Sequence, residues 1–273
     1  MTTQSVMNDF RETYVFGDAG SSGPLRFQVL SRLYDAHSIR QFKTIGVNDG
    51  WRCLDVGAGQ GSIAVWLSLR VGATGTVVAT DIDTHLLEAL PYHNLSVMRH
   101  DVATDPLPTD TFDLVHTRLV LMHVRDRNRA LDTLVASLRP GGWFVGEEYD
   151  ALSTLADPSV SASEELLKTG IAMRRLMADR GVDLRCGRTL RDRLLAQGLV
   201  DVQAEGTISV WHGGSPGAAL IRLSYEQLAE PMIQGGYLSE ADLIADLARL
   251  EDPAMAFPSP ILWSVRGRRP TLT

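Results

Sequence analysis

The residues that indicate chemistry most clearly lie in a glycine-rich segment, residues 54–61. One acidic residue, Asp55, precedes three alternate glycines, Gly57, Gly59 and Gly61, in the pattern Asp-x-Gly-x-Gly-x-Gly. Glycine lets a ligand approach the backbone where a Cβ atom would collide with it. The first turn of a following helix offers N–H groups that have no partner within the helix. The segment therefore predicts a ligand-binding turn with a carboxylate beside it.

The spacing of the glycines distinguishes between two classes of ligand. A dinucleotide site requires Gly-x-Gly-x-x-Gly, whereas here Ser62 occupies the third glycine position and Gly61 comes one residue early. A carboxylate at Asp55 would repel a pyrophosphate and attract an ammonium group. The turn thus disfavours an NAD-type oxidoreductase and favours a ligand with a positive charge.

The complete pattern resembles motif I of the class I S-adenosylmethionine (SAM) dependent methyltransferases. In that family the acidic residue helps to hold the amino group of the methionine moiety. The resemblance gives this role to Asp55 and makes Gly57, Ala58, Gly59 and Gly61 the cradle of the cofactor. It also implies an enzyme that uses SAM and releases S-adenosylhomocysteine (SAH).

Two further segments match the family in the expected order. Asp81 ends a second predicted strand, where the resemblance implies that its carboxylate binds the ribose hydroxyls and that Ile82 contacts the adenine. After a third strand, the resemblance places Asp101 on the adenine amino group and the backbone N–H of Val102 on a ring nitrogen.

The remaining candidate cofactor residues surround these motifs. Thr117 and Arg118 lie just past the carboxyl end of a fourth strand, where the family uses backbone groups to hold the cofactor. In related enzymes an N-terminal helix closes over the cofactor, so Arg26 could meet the methionine carboxylate and Tyr14 could cover the sulfonium. A solvated arginine and a core tyrosine remain the alternative at these two positions.

The candidate catalytic residues follow from the chemistry of methyl transfer. Displacement at a sulfonium carbon requires alignment and exclusion of water, and an oxygen or carbon acceptor also needs a base. The candidates are His123, Glu148, Tyr149 and His212, with His116 as a further base. Glu148 and Tyr149 are expected at the mouth of the site, between the fifth strand and the lid. Large side chains that either line an aromatic pocket or form the core of the lid are Trp211, His212, Tyr225, Met232, Phe257 and Trp263.

The elements that position these residues alternate between strands and helices. This pattern predicts an α/β fold, a Rossmann-like doubly wound, mostly parallel seven-stranded sheet with helices on both faces and a helical lid. We also expect a short helix over residues 86–90 and a fifth strand over residues 143–146. The predicted parts are an N-terminal arm and lid helices (1–45), a SAM-binding core (46–150), and the rest of the sheet with lid insertions at about 151–186 and 216–250 (151–273).

The composition excludes several classes of protein. The chain has 273 residues, 44% of them hydrophobic, and a formal net charge of −7, which together disfavour a disordered chain and a nucleic-acid-binding protein. No apolar run is long enough to span a membrane, and the polar first residues carry no signal core. Two cysteines and no ligand-like spacing predict a cytoplasmic protein without a disulfide framework or a metal site.

Two functions remain open at this stage. The first is a methyltransferase that acts on O, C or N of a small, partly apolar molecule, similar to the enzymes of ubiquinone biosynthesis and bacterial natural-product pathways. The alternative is a SAM-binding enzyme of the same fold that catalyses a cyclisation or rearrangement without methyl transfer. The expected partner is a small-molecule substrate, with no nucleic acid and no membrane, and a homodimer is compatible with the sequence.

Overall fold

Nine strands are present in the computed structural model, which describes Phe16, residues 22–153 and residues 167–271. They are β1 (Arg52–Val56), β2 (Thr76–Asp81), β3 (Leu95–Arg99), β4 (Phe112–Arg118), β5 (Leu138–Asp150), β6 (Val200–Thr207), β7 (Val210–His212), β8 (Ala256–Pro258) and β9 (Ile261–Arg268).

Seven of these strands form one sheet in the order β3-β2-β1-β4-β5-β9-β6. The strands from β3 to β5 are parallel, and β9 runs antiparallel to both β5 and β6. The predicted seven-stranded, mostly parallel Rossmann-like sheet is therefore confirmed. The strand order reverses between β1 and β4, and open α/β sheets bind their ligands at the carboxyl ends of the strands beside such a reversal.

Seven helices and one short 3₁₀ turn (Leu121–His123) complete the described chain. Serine side chains begin two of the helices, because Ser215 and Ser239 accept hydrogen bonds from the backbone N–H groups of Ala218 and Asp242. The helices are α1 (Ser22–Thr44), α2 (Ser62–Val71), α3 (Arg127–Ser137), α4 (Leu167–Asp179), α5 (Cys186–Ala196), α6 (Pro216–Gln234) and α7 (Glu240–Leu250).

The central strands are buried on both faces, as the apolar runs in the sequence require. Alternate side chains of β1, β4 and β5 enter two separate hydrophobic cores. One core receives Leu54, Val115 and Phe144, and the other receives Cys53, Leu114 and Val145. The first core continues into α3 and α5, and the second continues into α1 and α2.

A group of elements that we call the lid, α1, α4 and α6 with β7 and β8, packs next to the sheet. Leu30 and Tyr34 of α1 share a small core with Trp211 of β7 and Leu220 of α6. Within the described ranges, no helix has the length and apolarity that crossing a bilayer requires. The boundaries predicted at residues 45 and 150 stay a prediction.

Three of the predicted elements differ from the structure. Residues 86–90 form consecutive turns and no helix, because Leu87 and Glu88 donate to the carbonyl of Thr84 and Leu90 donates to that of Leu87. The fifth strand is longer than predicted and runs from Leu138 to Asp150, with an irregularity before Trp143 where its register against β4 shifts and Gly141 has a positive φ of 80°. The lid segment 216–250 is two helices, separated at Gly236, and residues 154–166 lie outside the described residues.

Candidate active site

A cavity of about 540 Å³ lies between the carboxyl ends of the parallel strands and the lid. Its sheet side is formed by the glycine-rich turn after β1, by the end of β2 and by the segment after β4. Its other side is formed by α1, α4, α6 and the β7–β8 pair. This volume lies within the usual range for a small-molecule site.

The glycine-rich turn needs its glycines for both conformation and space. Gly57, Gly59 and Gly61 have positive φ angles of 67°, 58° and 84°. A Cβ atom on Gly57 would lie 2.2 Å from Val120 Cγ2. Gly57, Ala58 and Gly59 line the cavity, whereas Gly61 faces Leu90 outside the cavity wall. The first part of the turn is therefore the part that a ligand can reach.

Asp55 presents one unused carboxylate oxygen beside the turn. The residue is 2% exposed and lines the cavity. His116 Nδ1 donates to Asp55 Oδ1 at 2.7 Å, and Oδ2 has no hydrogen-bond partner among the described residues. A buried carboxylate oxygen is normally hydrogen-bonded. An ammonium group supplies the missing donor, so this atom fits the methionine amino group of SAM.

His116 lies between two buried carboxylates. Its Nε2 atom is 3.4 Å from Glu147 Oε2 on the next strand. Burial lowers the pKa of His116, but the bonds to Asp55 and Glu147 outweigh this effect and the pKa is raised. Burial alone would raise the pKa of Glu147, but its contacts with His116 outweigh this effect and the pKa is lowered. Both ring nitrogens of His116 thus contact carboxylates, and the residue holds Asp55 rather than acting as the free base that the sequence suggested.

Polar side chains connect this group to α1. The hydroxyls of Ser38 and Ser264 donate to the two carboxylate oxygens of Glu147. Arg118 lines the cavity and donates to Ser38 Oγ at 3.0 Å and to Asp35 Oδ1 at 2.9 Å. The side chain of Arg118 therefore fastens α1 to the end of β4. The neighbouring Thr117 is buried outside the cavity wall.

The predicted ribose and adenine residues surround the other side of the turn. Asp81 Oδ2 accepts a hydrogen bond from Gly59 N at 2.9 Å, and burial raises the pKa of Asp81. Asp81, Ile82 and Val102 line the cavity. Asp101 lies outside the cavity wall, where its Oδ1 accepts from Ala103 N at 2.9 Å. Asp81 thus shapes the turn. Of the two carboxylates Asp81 and Asp101, Asp81 is the one that a ligand in the cavity can contact.

The predicted arm residues are only partly within the described chain. Tyr14 lies outside the described residues. Arg26 lines the cavity, with its guanidinium 3.9 Å from the centre of the Phe16 ring and its Nε donating to Ser224 Oγ at 3.3 Å. Stacking and hydrogen bonding hold the guanidinium at the wall, so the interpretation of Arg26 as a solvated side chain is wrong.

Two of the predicted catalytic residues, His123 and Tyr149, line the cavity. Burial, followed by the charges of Arg26 and Arg127, lowers the pKa of His123 to about 3, which leaves the imidazole neutral. The Tyr149 hydroxyl donates to the Tyr34 hydroxyl at 2.8 Å. Burial raises the pKa of both phenols, to about 12 for Tyr34. Both wall residues therefore present neutral hydrogen-bonding groups.

The other two predicted catalytic residues do not reach the cavity. The Glu148 carboxylate accepts hydrogen bonds from the N–H groups of Val120, Leu121 and Met122, at 3.0, 2.7 and 3.2 Å, and is fully buried outside the wall. His212 is exposed, because neighbouring residues of a strand face opposite sides and Trp211 takes the inward position. The placement of Glu148 at the mouth of the site and that of His212 in the pocket are both wrong.

The lid supplies much of the apolar wall. Of the large side chains expected there, Trp211, Tyr225 and Phe257 line the cavity, whereas Met232 and Trp263 lie outside the wall. Met173 and Met177 also line the cavity, and the sequence did not single them out as residues of the site. Among the described residues, no group of three or more His, Cys, Asp or Glu could hold a metal ion.

Comparisons with known proteins agree with this geometry. The family profile of a methyltransferase domain matches residues 54–146. A ubiquinone/menaquinone biosynthesis C-methyltransferase of Pectobacterium carotovorum is 31% identical over 172 residues, 56% of this chain and 68% of that protein. The corresponding enzyme of a Marinomonas strain is 31% identical over 128 residues, 44% of this chain and 50% of that protein. The chain thus spans between half and about two thirds of these relatives.

The same fold occurs in a solved structure. The YcgJ protein of Bacillus subtilis superposes with a TM-score of 0.56 at 16% identity, covering 85% of this chain and 97% of that one. The identity is low enough that this likeness shows the fold alone. The relatives, the glycine-rich turn and the unpartnered oxygen of Asp55 together show that the chain belongs to the class I SAM-dependent methyltransferases, the family whose cofactor is SAM.

Proposed function

We propose that the chain transfers a methyl group from SAM to O, C or N of a small, partly apolar molecule. One observation carries the proposal. A single continuous cavity joins the glycine-rich turn and Asp55 to the aromatic and methionine side chains of the lid. Such a cavity can hold a cationic cofactor and an apolar acceptor side by side, as group transfer requires.

The sheet end of the cavity would hold the cofactor. Asp55 Oδ2 would accept from the methionine ammonium, and Arg26 would meet the methionine carboxylate. Gly57 and Gly59 would let the cofactor lie against the backbone, while Asp81 would accept from the ribose hydroxyls. When bound, SAM would supply a methyl group on a positively charged sulfur, so that a nucleophile gains the methyl carbon while the carbon–sulfur bond breaks and SAH leaves.

The residues of the lid would exclude water and orient the acceptor. His123 is neutral, so its ring can accept a hydrogen bond from an acceptor O–H or N–H as the lone pair of that atom attacks the methyl carbon. Tyr149 can fix the acceptor through its hydroxyl. Curated relatives named as C-methyltransferases of ubiquinone and menaquinone biosynthesis support a carbon acceptor among the three classes. Alignment in a closed site would then supply much of the acceleration.

Calorimetric titration with SAM tests the first step. Wild-type protein should bind SAM, and Asp55→Asn should weaken binding about tenfold because a neutral amide replaces the charged acceptor. Asp192→Asn, at an exposed carboxylate far along the chain, is the matched control and should bind like wild type.

Turnover tests the second step. With an acceptor that is consumed, SAH should appear in step with methylated product. Failure of the wild-type protein to bind SAM would contradict the proposal. Product formed without SAH would also contradict it, and would indicate a cyclisation or rearrangement on the same fold.

A further inference from the structure

The wall of the cavity carries charges of both signs. Asp55 and Asp81, the carboxylates among the described wall residues, both lie at the glycine-rich turn. The guanidinium groups of the described wall belong to Arg26, Arg118 and Arg174. Arg118 is ion-paired to α1 and Arg26 would meet the methionine carboxylate of the cofactor, so Arg174 on α4 is the guanidinium that the proposed cofactor site does not use. Charges placed on a wall orient a ligand and select against the wrong one.

Arg174 and Tyr225 converge on one point of the lid. A Cβ atom on Gly170 would lie 3.0 Å from the Tyr225 hydroxyl and 3.4 Å from Arg174 Nη1. All three residues line the cavity. A side chain at this position would crowd both groups, so the glycine lets the Tyr225 hydroxyl and the Arg174 guanidinium approach the backbone of α4 side by side. We call these three residues the lid cluster.

The surroundings of the lid cluster are apolar. Met173 and Met177 of α4 and Leu250 at the end of α7 also line the cavity. Burial lowers the pKa of Arg174 and raises that of Tyr225. Arginine nevertheless keeps its charge in proteins, and a charge in an apolar wall gains more from an anion than one in water.

The guanidinium of Arg174 has five N–H donors in a planar fork. A group with that many donors can bind several oxygens at once, so a carboxylate can be one of its partners. The nearby carboxylate of Asp246 accepts from Thr169 N at 2.8 Å and lies outside the cavity wall. Asp246 thus holds the start of α4, which positions Gly170 and Arg174.

We propose that the lid cluster binds a carboxylate of the acceptor, which makes the acceptor a small, partly apolar carboxylic acid. This inference rests on the proposed function. The planar fork of Arg174 matches a carboxylate with two parallel hydrogen bonds, and the Tyr225 hydroxyl can donate a third. A phosphate would bring a second negative charge into an apolar chamber, which costs more desolvation. The methylated atom lies on the part of the acceptor that faces the cofactor.

A pair of probes of the same shape tests the proposal. Protein saturated with SAH is titrated with cinnamate and, separately, with its neutral amide, cinnamamide. Cinnamate should bind at least about tenfold more tightly than the amide. Arg174→Met should remove this preference and leave the affinity for the amide within about twofold. The control is Arg175→Met, the neighbouring arginine on the same helix, which is exposed and should behave as wild type.

Two milder variants keep the test informative if Arg174→Met folds poorly. Arg174→Lys keeps the charge without the fork and should lose part of the preference. Tyr225→Phe removes only the hydroxyl and should lose a smaller part. Equal affinities for the two probes, no binding of cinnamate, or an unchanged preference in these variants would overturn the inference. Failure of the wild-type protein to bind SAM or SAH would instead contradict the proposed function.

Discussion

The orientation of Asp55 depends on a residue that a ligand need not touch. His116 Nδ1 donates to one oxygen of Asp55, and the other oxygen of this wall residue has no hydrogen-bond partner among the described residues. The far side of the imidazole contacts Glu147, which accepts a hydrogen bond from Ser264. A hydrogen bond from a neighbouring side chain, such as that from His116 to Asp55, fixes a binding group in one rotamer before the ligand binds.

Two substitutions of His116 separate its two contacts. His116→Asn keeps an N–H near the position of Nδ1, whereas His116→Gln keeps one near Nε2. We expect His116→Gln to weaken SAH binding about tenfold, because Asp55 loses its fixed orientation, and His116→Asn to stay closer to wild type. Methylthioadenosine lacks the amino acid part, so neither variant should change its affinity. Calorimetry with both ligands makes the measurement. An equal loss for the two ligands would show general damage to the site.

Glu148 makes the stability of the fold depend on pH. Burial raises its pKa from 4.5 to about 7, although the N–H groups of three residues oppose the rise. The folded protein therefore holds a proton that the unfolded chain releases. The stability from this group is fully present below about pH 4.5 and is lost as the pH rises through about 7.

The variant Glu148→Gln isolates this effect, because it is neutral at every pH. Between about pH 5 and pH 8, wild type should lose up to about 3 kcal/mol of unfolding free energy relative to the variant. His116 has a raised pKa in both proteins, so its contribution cancels in the difference. Urea unfolding of both proteins at the two pH values measures this difference in unfolding free energy. Parallel pH dependence of the two proteins would contradict the assignment to Glu148.

At the scale of elements, the glycine-rich turn combines backbone strain with close packing. Gly57 has a φ of 67° and no space for a Cβ atom, because Val120 after β4 packs against its Cα. Gly214 has a similar φ of 71° but lies in open space, with no atom within 4 Å of an added Cβ. The two positions therefore share the strain and differ in packing.

Alanine substitutions at these glycines should separate the two costs. Gly214→Ala should lower the free energy of unfolding by about 1–2 kcal/mol, the cost of a left-handed residue. Gly57→Ala should lower the free energy of unfolding by about 1–3 kcal/mol more, since Val120 must move. It should also weaken SAM binding. Denaturant unfolding of both variants makes the comparison. Equal losses would mean that Val120 moves at little cost.

Elements and motifs differed in how well the sequence predicted them. The turn was predictable because Asp55 and its glycines are adjacent in the chain and their types restrict the backbone. Glu148 was misplaced because its partners are backbone N–H groups of residues 120–122, and no side-chain type marks such a contact. The pairing of Asp55 with His116 required the register of β1 against β4, which periodicity alone does not supply.

At the scale of the whole molecule, the cavity depends on contacts between distant parts of the chain. α1 reaches the sheet through the Arg118–Asp35 ion pair at 2.9 Å. It reaches α6 through the Arg26–Ser224 hydrogen bond at 3.3 Å. The lid could be predicted only as helical, since these contacts join residues 83 and 198 positions apart. A ligand that contacts both the glycine-rich turn and the lid would stabilise the packing of the lid against the sheet.

Hydrogen exchange with and without SAH tests this coupling. At a hundredfold excess over its Kd, SAH should stabilise the folded protein by about 2.7 kcal/mol. Amides of α1, which contributes Phe27, Leu30 and Ser31 to the wall, should gain more protection than those of α3, which contributes no residue to it. Amides that exchange through global unfolding would gain the same protection in both helices. A difference in protection between the helices therefore measures local closure of the lid. Protection confined to the turn and α2 would show that the cofactor binds without engaging α1, and that the contacts of Arg118 and Arg26 serve the fold alone.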